Sequence, residues 1–459
     1  MTTRLGSRVT TREGSRVTTR EGQGVTARKM HLVAYLKSGP NASYPSTWRH
    51  PSATLDDLFD PRRWEHCARV LEAARFDACF FADGLGIPDL YKGSYDDYLG
   101  RGGQLSLLDP MVIAPLMARA TEHLGIGVTL STSFIAPYVI ARYLGSLDLI
   151  SNGRAAWNVV TTGRDFEAQN CGMPGLPPKE ERYDMADEVM EACDALWNGW
   201  EEDALVLDRE RGVFADPSKV RYANYQGKYI STRGPLSIPR SPQVRPGIMQ
   251  AGASPRGRAF AARWAEMIFA TPATKADSLA YRTDIRARME AIGRNPDECA
   301  VLPSMTVVVG ETESIAREKA AHLESLVDPE LVIASSSWSV VADLSKVDTP
   351  EAMAAADTNQ GVQGHRDRML QVAKAKGITF AEAVRQPRAL VAGTPSMIAD
   401  IMEDWFTSGA CDGFILPPTI FPATFEEFGR MVVPELQRRG IFRRDYAGRT
   451  LRENLRNPG

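Results

Sequence analysis

Cysteine is sparse and scattered in this chain of 459 residues: Cys67, Cys79, Cys171, Cys193, Cys299 and Cys411 never fall as C-x-x-C. That spacing fits reduced thiols in a cytoplasmic protein better than a disulfide framework or a zinc ribbon. The six histidines form no H-x-x-H or H-E-x-x-H pair, so no metal site is expected. No apolar run approaches the roughly 18 residues that read as a membrane span, and no span is expected. The N-terminus lacks the apolar stretch of a secretory signal. A formal net charge of -3 lacks the basic surplus that a nucleic-acid partner calls for. No G-x-G-x-x-G opens the first strand–helix unit, which argues against a dinucleotide-binding sheet.

What is present is the composition of an enzyme-sized globular chain, 43% apolar and 24% charged. Its first residues are unusual: SRVTTREG runs from Ser7 to Gly14 and repeats identically from Ser15 to Gly22. An octapeptide repeat almost free of large apolar side chains cannot bury a core, so residues 1–29 are expected to be disordered, with a single domain over 30–459. From Met30 onward, short apolar runs alternate with helical periodicity. Strands are predicted at Met30–Leu36, Ala78–Ala82, Leu124–Leu130, Ala155–Val160, Ile248–Ala251, Ala265–Ala270, Leu302–Val309 and Gly413–Leu416. About eight strands with helices between them, in a chain this long, predict an α/β fold, a (β/α)8 TIM barrel with insertions. Residues 198–245 read as an excursion outside the barrel, and 327–390 as a helical insertion over the site. The chain is expected to close with a helix over Phe425–Arg439.

The stretch Pro246–Glu266, PGIMQAGASPRGRAFAARWAE, organises the rest. A buried strand leads into a turn of Gly252, Ala253 and Ser254. Ser254 is a good N-cap and Pro255 a good first helical residue. Small residues before a helix N-terminus let backbone N–H groups and the helix dipole face a phosphate, and Arg256 and Arg258 add positive charge nearby. A plain capped turn is the competing reading of the same residues.

Eight motifs in order then carry a resemblance: FADGL (Phe81–Leu85), TEHLGIGVT (Thr121–Thr129), GRAAWNVVT (Gly153–Thr161), ERYD (Glu181–Asp184), DPSKV (Asp216–Val220), GPLSIPRSPQ (Gly234–Gln243), QAGASPRGRAFAARWAE and CDGFIL (Cys411–Leu416). Over Met30–Leu455 the chain resembles the bacterial luciferase-like flavin monooxygenases, within them the nitrilotriacetate/dibenzothiophene-sulfone monooxygenase (component A) group. The resemblance implies a two-component enzyme. Reduced FMN comes from a separate NAD(P)H:flavin reductase, and O2 is the co-substrate. A small organic substrate is oxygenated through a flavin hydroperoxide. A homodimer or homotetramer is also implied.

Carried onto this sequence, the implied FMN contacts are Asp83, Thr129, Tyr183 and Ser254, with Asn158, Lys179 and Ala253 completing the set. Asp83 and Thr129 lie near C-terminal strand ends, where barrel enzymes assemble their sites. Trp157 either lines the flavin cavity or fills the barrel. Where the family reads H-D-E-R-Y-D, this chain has KEERYD from Lys179 to Asp184. Lys179 keeps a donor but loses the acid–base-capable imidazole. It either pairs with the phosphate or stays solvated. His50, and less so His31, are the acid–base candidates. Two other readings stay open: a deazaflavin-dependent hydride-transfer enzyme and a non-catalytic flavin-binding protein of the same fold.

Overall fold

Several helices begin with the same two-residue signal, a side chain that caps followed by proline, among them Asp60-Pro61, Asp109-Pro110, Ser254-Pro255, Asp328-Pro329 and Thr394-Pro395. In each pair the capping oxygen accepts a first-turn N–H, and proline takes the position whose N–H has no partner. Such starts mark where several of the crossovers turn back. The computed structural model describes residues 28–40, 43–347, 349–355, 363–386 and 390–456, and the octapeptide repeat lies outside them.

Eight parallel strands form the barrel: β1 (His31–Leu36), β2 (Ala78–Phe81), β3 (Gly125–Ser131), β4 (Ala155–Val160), β5 (Gly247–Gln250), β6 (Met267–Ala270), β7 (Ala300–Pro303) and β8 (Gly413–Leu416). Each pairs with its neighbour in chain order, and β8 pairs with β1. Two hydrogen bonds close the ring between β7 and β8, Asp412 N to Val301 O at 2.9 Å and Met305 N to Ile415 O at 3.0 Å. The enclosing helices are α1 (Pro61–Ala73), α2 (Pro110–Ala120), α3 (Pro137–Ile150), α4 (Lys179–Trp197), α5 (Pro255–Trp264), α6 (Lys275–Ala291), α7 (Pro395–Thr407) and α8 (Ala423–Met431).

Strand alternation sorts side chains into two cores. Val33, Phe80, Ala156, Met249 and Phe269 fill the barrel, where the Phe80 and Phe269 rings stack at 4.3 Å. Leu36, Phe81 and Val128 face the helices, in a larger cluster that includes Trp157. Trp157 is therefore a filler between sheet and helices, its Nε1 donating to Leu130 O at 3.0 Å. Gly127 keeps the barrel narrow: a Cβ there would come within 2.7 Å of Phe80 and 2.9 Å of Met249.

Two expectations need correction. The run predicted as one strand, Leu302–Val309, is two: β7 ends at Pro303, and Val307–Val309 pairs with Val391–Gly393 in a separate two-stranded sheet. Proline interrupts the ladder by lacking an N–H, and after Ser304 and Met305 make the last barrel hydrogen bonds the chain changes sheets. The closing element is also different. Beyond α8, the short helix Leu451–Arg456 reaches beneath the barrel, where Leu451 joins the interior cluster.

Residues 198–245 carry two small hairpins, Leu205–Asp208 with Val213–Ala215 and Tyr225–Gln226 with Ser231–Thr232. Between 327 and 390 lie the helices Pro329–Val340, Pro350–Ala355, Gln363–Lys376 and Phe380–Val384. Among the described residues no helix is long and apolar enough to cross a membrane.

Candidate active site

At the C-terminal ends of β4 and β5 lies an open cavity of about 1610 Å³, lined by Thr161, Arg164, Lys179, Tyr183, Ser254 and Val341 among others. Its floor on one side is the turn after β5. Gln250 holds the turn by accepting from the Gly252 N–H at 2.6 Å, and Tyr281 donates to Gly252 O at 2.7 Å. Ser254 then caps α5, its Oγ accepting from the Gly257 N–H at 3.1 Å. Pro255 has no N–H, and the Gly257 and Arg258 N–H groups both donate to Ser254, which leaves the Arg256 N–H as the open first-turn donor at the positive end of the helix.

Gly257 has a steric purpose. A Cβ there would meet the Tyr183 hydroxyl at 2.9 Å, so glycine admits the phenol to the helix start. Tyr183 is buried, which raises its pKa against the pull of Thr161, Arg182, Arg256 and Ser254 around it, so it is a neutral donor. Lys179 is the first residue of α4 and lines the same cavity, half-buried. Burial, then Arg182, lowers its pKa, with Glu180 opposing. Lys179 makes no hydrogen bond or ion pair with any described residue.

The two arginines expected to add charge here are committed elsewhere. Arg256 pairs with Asp187 at 2.6 Å and Asp184 at 3.0 Å on α4, and Arg258 pairs with Asp284 on α6 at 3.1 Å. Arg258 also donates to Ala253 O at 2.9 Å, which fixes the backbone of Ala253 in the turn.

Thr129 and Asn158 stand on neighbouring strand ends, facing inward. Thr129 Oγ1 donates to Phe81 O at 2.6 Å and accepts from Asn158 Nδ2 at 2.8 Å. Asn158 Oδ1 is buried and has no hydrogen-bond partner among the described residues. A buried acceptor left open in this way costs stability unless a ligand N–H fills it. Asp83 follows β2. Burial raises its carboxyl pKa, opposed by Ser106, the Gly84 amide and Lys37.

Sequence reasoning passed over three residues here. Lys37, just past β1, is buried, and its pKa is pushed down to about 8 by burial, with Asp83, Arg164 and Glu167 as charged neighbours. Arg164 lies under the Trp338 ring at 3.6 Å and 3.5 Å from Glu167. Trp338 belongs to the helix Pro329–Val340, which thereby covers part of the barrel mouth. The inward alternation Val33, Tyr35, Lys37 was the available signal for the lysine. Two β-branched residues on the cavity wall, Thr162 and Val341, hold left-handed backbone with φ of 49° and 55°. Such conformations are strained and concentrate at functional sites.

The histidines lie apart from this cluster. His31 opens β1 at the opposite end of the barrel, its Nδ1 2.8 Å from Asp77 Oδ1, and Arg443 binds the same carboxylate. His50 accepts from the Ser52 N–H at 3.0 Å and packs at 5.1 Å on His322 of the helix Glu313–Ser325. Burial, then His322, lowers its pKa. Among the described residues no group of three His, Cys, Asp or Glu side chains could hold a metal ion.

The architecture agrees with what comparison with known proteins finds. Residues 41–411 match the family described as luciferase-like monooxygenase. The dibenzothiophene-sulfone monooxygenase of Rhodococcus erythropolis (strain XP) is 40% identical over 437 residues, 93% of this chain and 96% of that protein. The crystal structure of a long-chain alkane monooxygenase superposes with a TM-score of 0.85 at 35% identity, covering 94% of this chain and 96% of that one. A riboflavin lyase crystallised with modified FMN and riboflavin gives 0.84 at 33% identity, covering 94% and 96%. The chain belongs to the luciferase-like monooxygenase family.

Proposed function

We propose that this protein is the oxygenating component of a two-component FMN-dependent monooxygenase. The observation that carries the reading is the helix start at Ser254, where a capped N-terminus, the buried Tyr183 phenol and the unpaired Lys179 share one cavity rim. A phosphomonoester suits that donor set. Farther in, the open acceptor Asn158 Oδ1 suits an N–H of the isoalloxazine, with Asp83 and Thr129 on the adjacent strand ends. Ala253 contributes backbone to the turn that cradles the phosphate.

Reduced FMN, when bound, would supply the two electrons with which O2 is activated, one oxygen atom going to a small organic substrate and the other leaving as water. The protein's own part is to bind, orient and keep water out. The helix Pro329–Val340, held to Arg164 through Trp338 and ending at Val341 on the cavity wall, is the element suited to shielding the reaction. The partner is an NAD(P)H:flavin reductase that delivers reduced FMN by diffusion or transient contact. His50 has no part in this reading. Oxygen uptake with reduced FMN, generated by a generic reductase and assayed across organic sulfones, sulfides, alkanes and aminopolycarboxylates, tests the proposal. Tight FMN binding without product from any substrate supports a non-catalytic flavin protein. Activity only with a reduced deazaflavin supports hydride transfer.

A further inference from the structure

Lys37 is a buried charge without an ion-pair partner among the described residues. Its residue is 8% exposed, yet no described carboxylate stands within ion-pairing distance and the ammonium makes no hydrogen bond with any described residue. Taking an ammonium out of water without a partner is costly, and such groups concentrate where a ligand supplies the missing charge.

Its position follows from strand register. Val33 and Tyr35 point into the barrel, and Lys37 continues that alternation past the end of β1. Leu36 stands opposite Phe81, and the Ala82 N–H donates to Leu36 O at 3.0 Å, which brings Asp83 alongside. Phe81 O in turn accepts from Thr129, which holds Asn158. Lys37 thus shares the barrel mouth with the inward ends of β2, β3 and β4, away from the helix start at Ser254 after β5. The acids nearby are engaged: Glu167 faces Arg164 at 3.5 Å, and burial shifts both Asp83 and Glu167 toward their neutral forms.

On the FMN reading, on which this inference rests, the phosphate lies at Ser254 and the ring spans the ends of β2–β4. The two redox forms carry the same phosphate charge. They differ in the ring, neutral when oxidised and, at neutral pH, anionic over N1 and the C2 oxygen when fully reduced. A buried cation remote from the phosphate therefore distinguishes them by charge alone. We infer that Lys37 receives the negative charge of the reduced ring and sets this protein's preference for reduced over oxidised FMN.

The test is a pair of anaerobic titrations of the full chain, one with oxidised FMN and one with dithionite-reduced FMN, on wild type and on Lys37→Met, Lys37→Gln and Lys37→Arg. Wild type is expected to bind the reduced form roughly ten- to a hundredfold more tightly, the size of one charge interaction at a buried site. Lys37→Met and Lys37→Gln should collapse that preference to within about threefold while leaving the affinity for oxidised FMN intact, and Lys37→Arg should retain it. A neutral variant that keeps the wild-type preference, or that loses affinity for both forms equally, overturns the inference and leaves FMN binding standing. A wild type that binds neither form overturns the FMN reading itself, and the inference with it.

Discussion

Ser254 does two jobs, and substituting it separates them. Its Oγ already accepts from the Gly257 N–H at 3.1 Å, so Ser254→Ala removes a helix cap as well as a phosphate donor. Losing a cap to alanine costs about 0.5–2 kcal/mol, whereas glycine at the same position costs only a few tenths. Losing a hydrogen bond to a charged oxygen costs about 1.5–3 kcal/mol, or roughly ten- to a hundredfold in affinity. In the flavin-free protein, Ser254→Ala should therefore lower the melting temperature by roughly 1–2 °C for a domain of this size, and Ser254→Gly by less. Both variants should lose FMN affinity by the same ten- to hundredfold factor, since both lack the hydroxyl. Riboflavin has no phosphate and supplies the control: its affinity should stay within about twofold of wild type in both variants. Isothermal titration with the two ligands reads this directly. Equal weakening for FMN and riboflavin would refute the phosphate assignment and leave Ser254 as a cap alone.

Lys179→Met should remove most of the salt dependence of FMN binding with the fold intact, because a half-buried ion pair is screened by salt; Lys179→His should bind FMN comparably and add a titration near about 6.5. If Lys179→Met binds FMN as tightly as wild type at low salt, the pairing with phosphate is wrong. The flavin-free protein should gain stability from Lys37→Met by about 3 kcal/mol at neutral pH, since a pKa held near 8 against 10.5 measures the cost of the buried charge. The sign follows from proton counting: between those values the unfolded chain binds the extra proton, so wild type gains stability as pH rises through that window and the variant does not, a difference that denaturant melts at two pH values will detect. Arg443→Met should cost about 3–5 kcal/mol by stranding Asp77 without its buried partner. Burial alone would raise the Asp77 pKa, but Arg443, His31 and the Leu32 amide outweigh it and leave it lowered. That stability is therefore present above the unfolded value of about 3.9 and is lost as pH falls through the lower folded value, so wild type should survive to more acid pH than the variant in circular dichroism melts.

The stretch Pro246–Glu266 was legible because every signal in it is local. The strand Gly247–Gln250, the cap at Ser254, Pro255 as first helical residue and the helix to Trp264 depend on neighbours a few positions away. The barrel was legible for a related reason, since each strand's apolar run and several crossover caps are written in sequence order. The split at Pro303 was only half legible: the proline inside Leu302–Val309 marks a break, but only tertiary pairing shows that Val307–Val309 goes to Val391–Gly393. Charge was the least readable property. Arg256 and Arg258 look like phosphate ligands in the sequence, but their partners Asp184, Asp187 and Asp284 come from other helices. Lys37 looks like an ordinary loop lysine until the barrel closes around it. Motif order brought Asp83, Thr129, Asn158, Tyr183 and Ser254 to attention, and His50 drew it for its residue type alone.

Those two committed arginines have a consequence for how long a flavin stays. A prosthetic group is retained when fixed guanidinium forks grip its phosphate, because bidentate ion pairs dissociate slowly. Here both of these forks are spent tying α5 to α4 and α6. The helix start itself offers a dipole, a serine and a phenol, with the long-stemmed Lys179 at the rim. On the FMN reading this is the architecture of a dock rather than a clamp: a flavin arrives charged with electrons, is used, and leaves, so that turnover is coupled to supply from outside the chain.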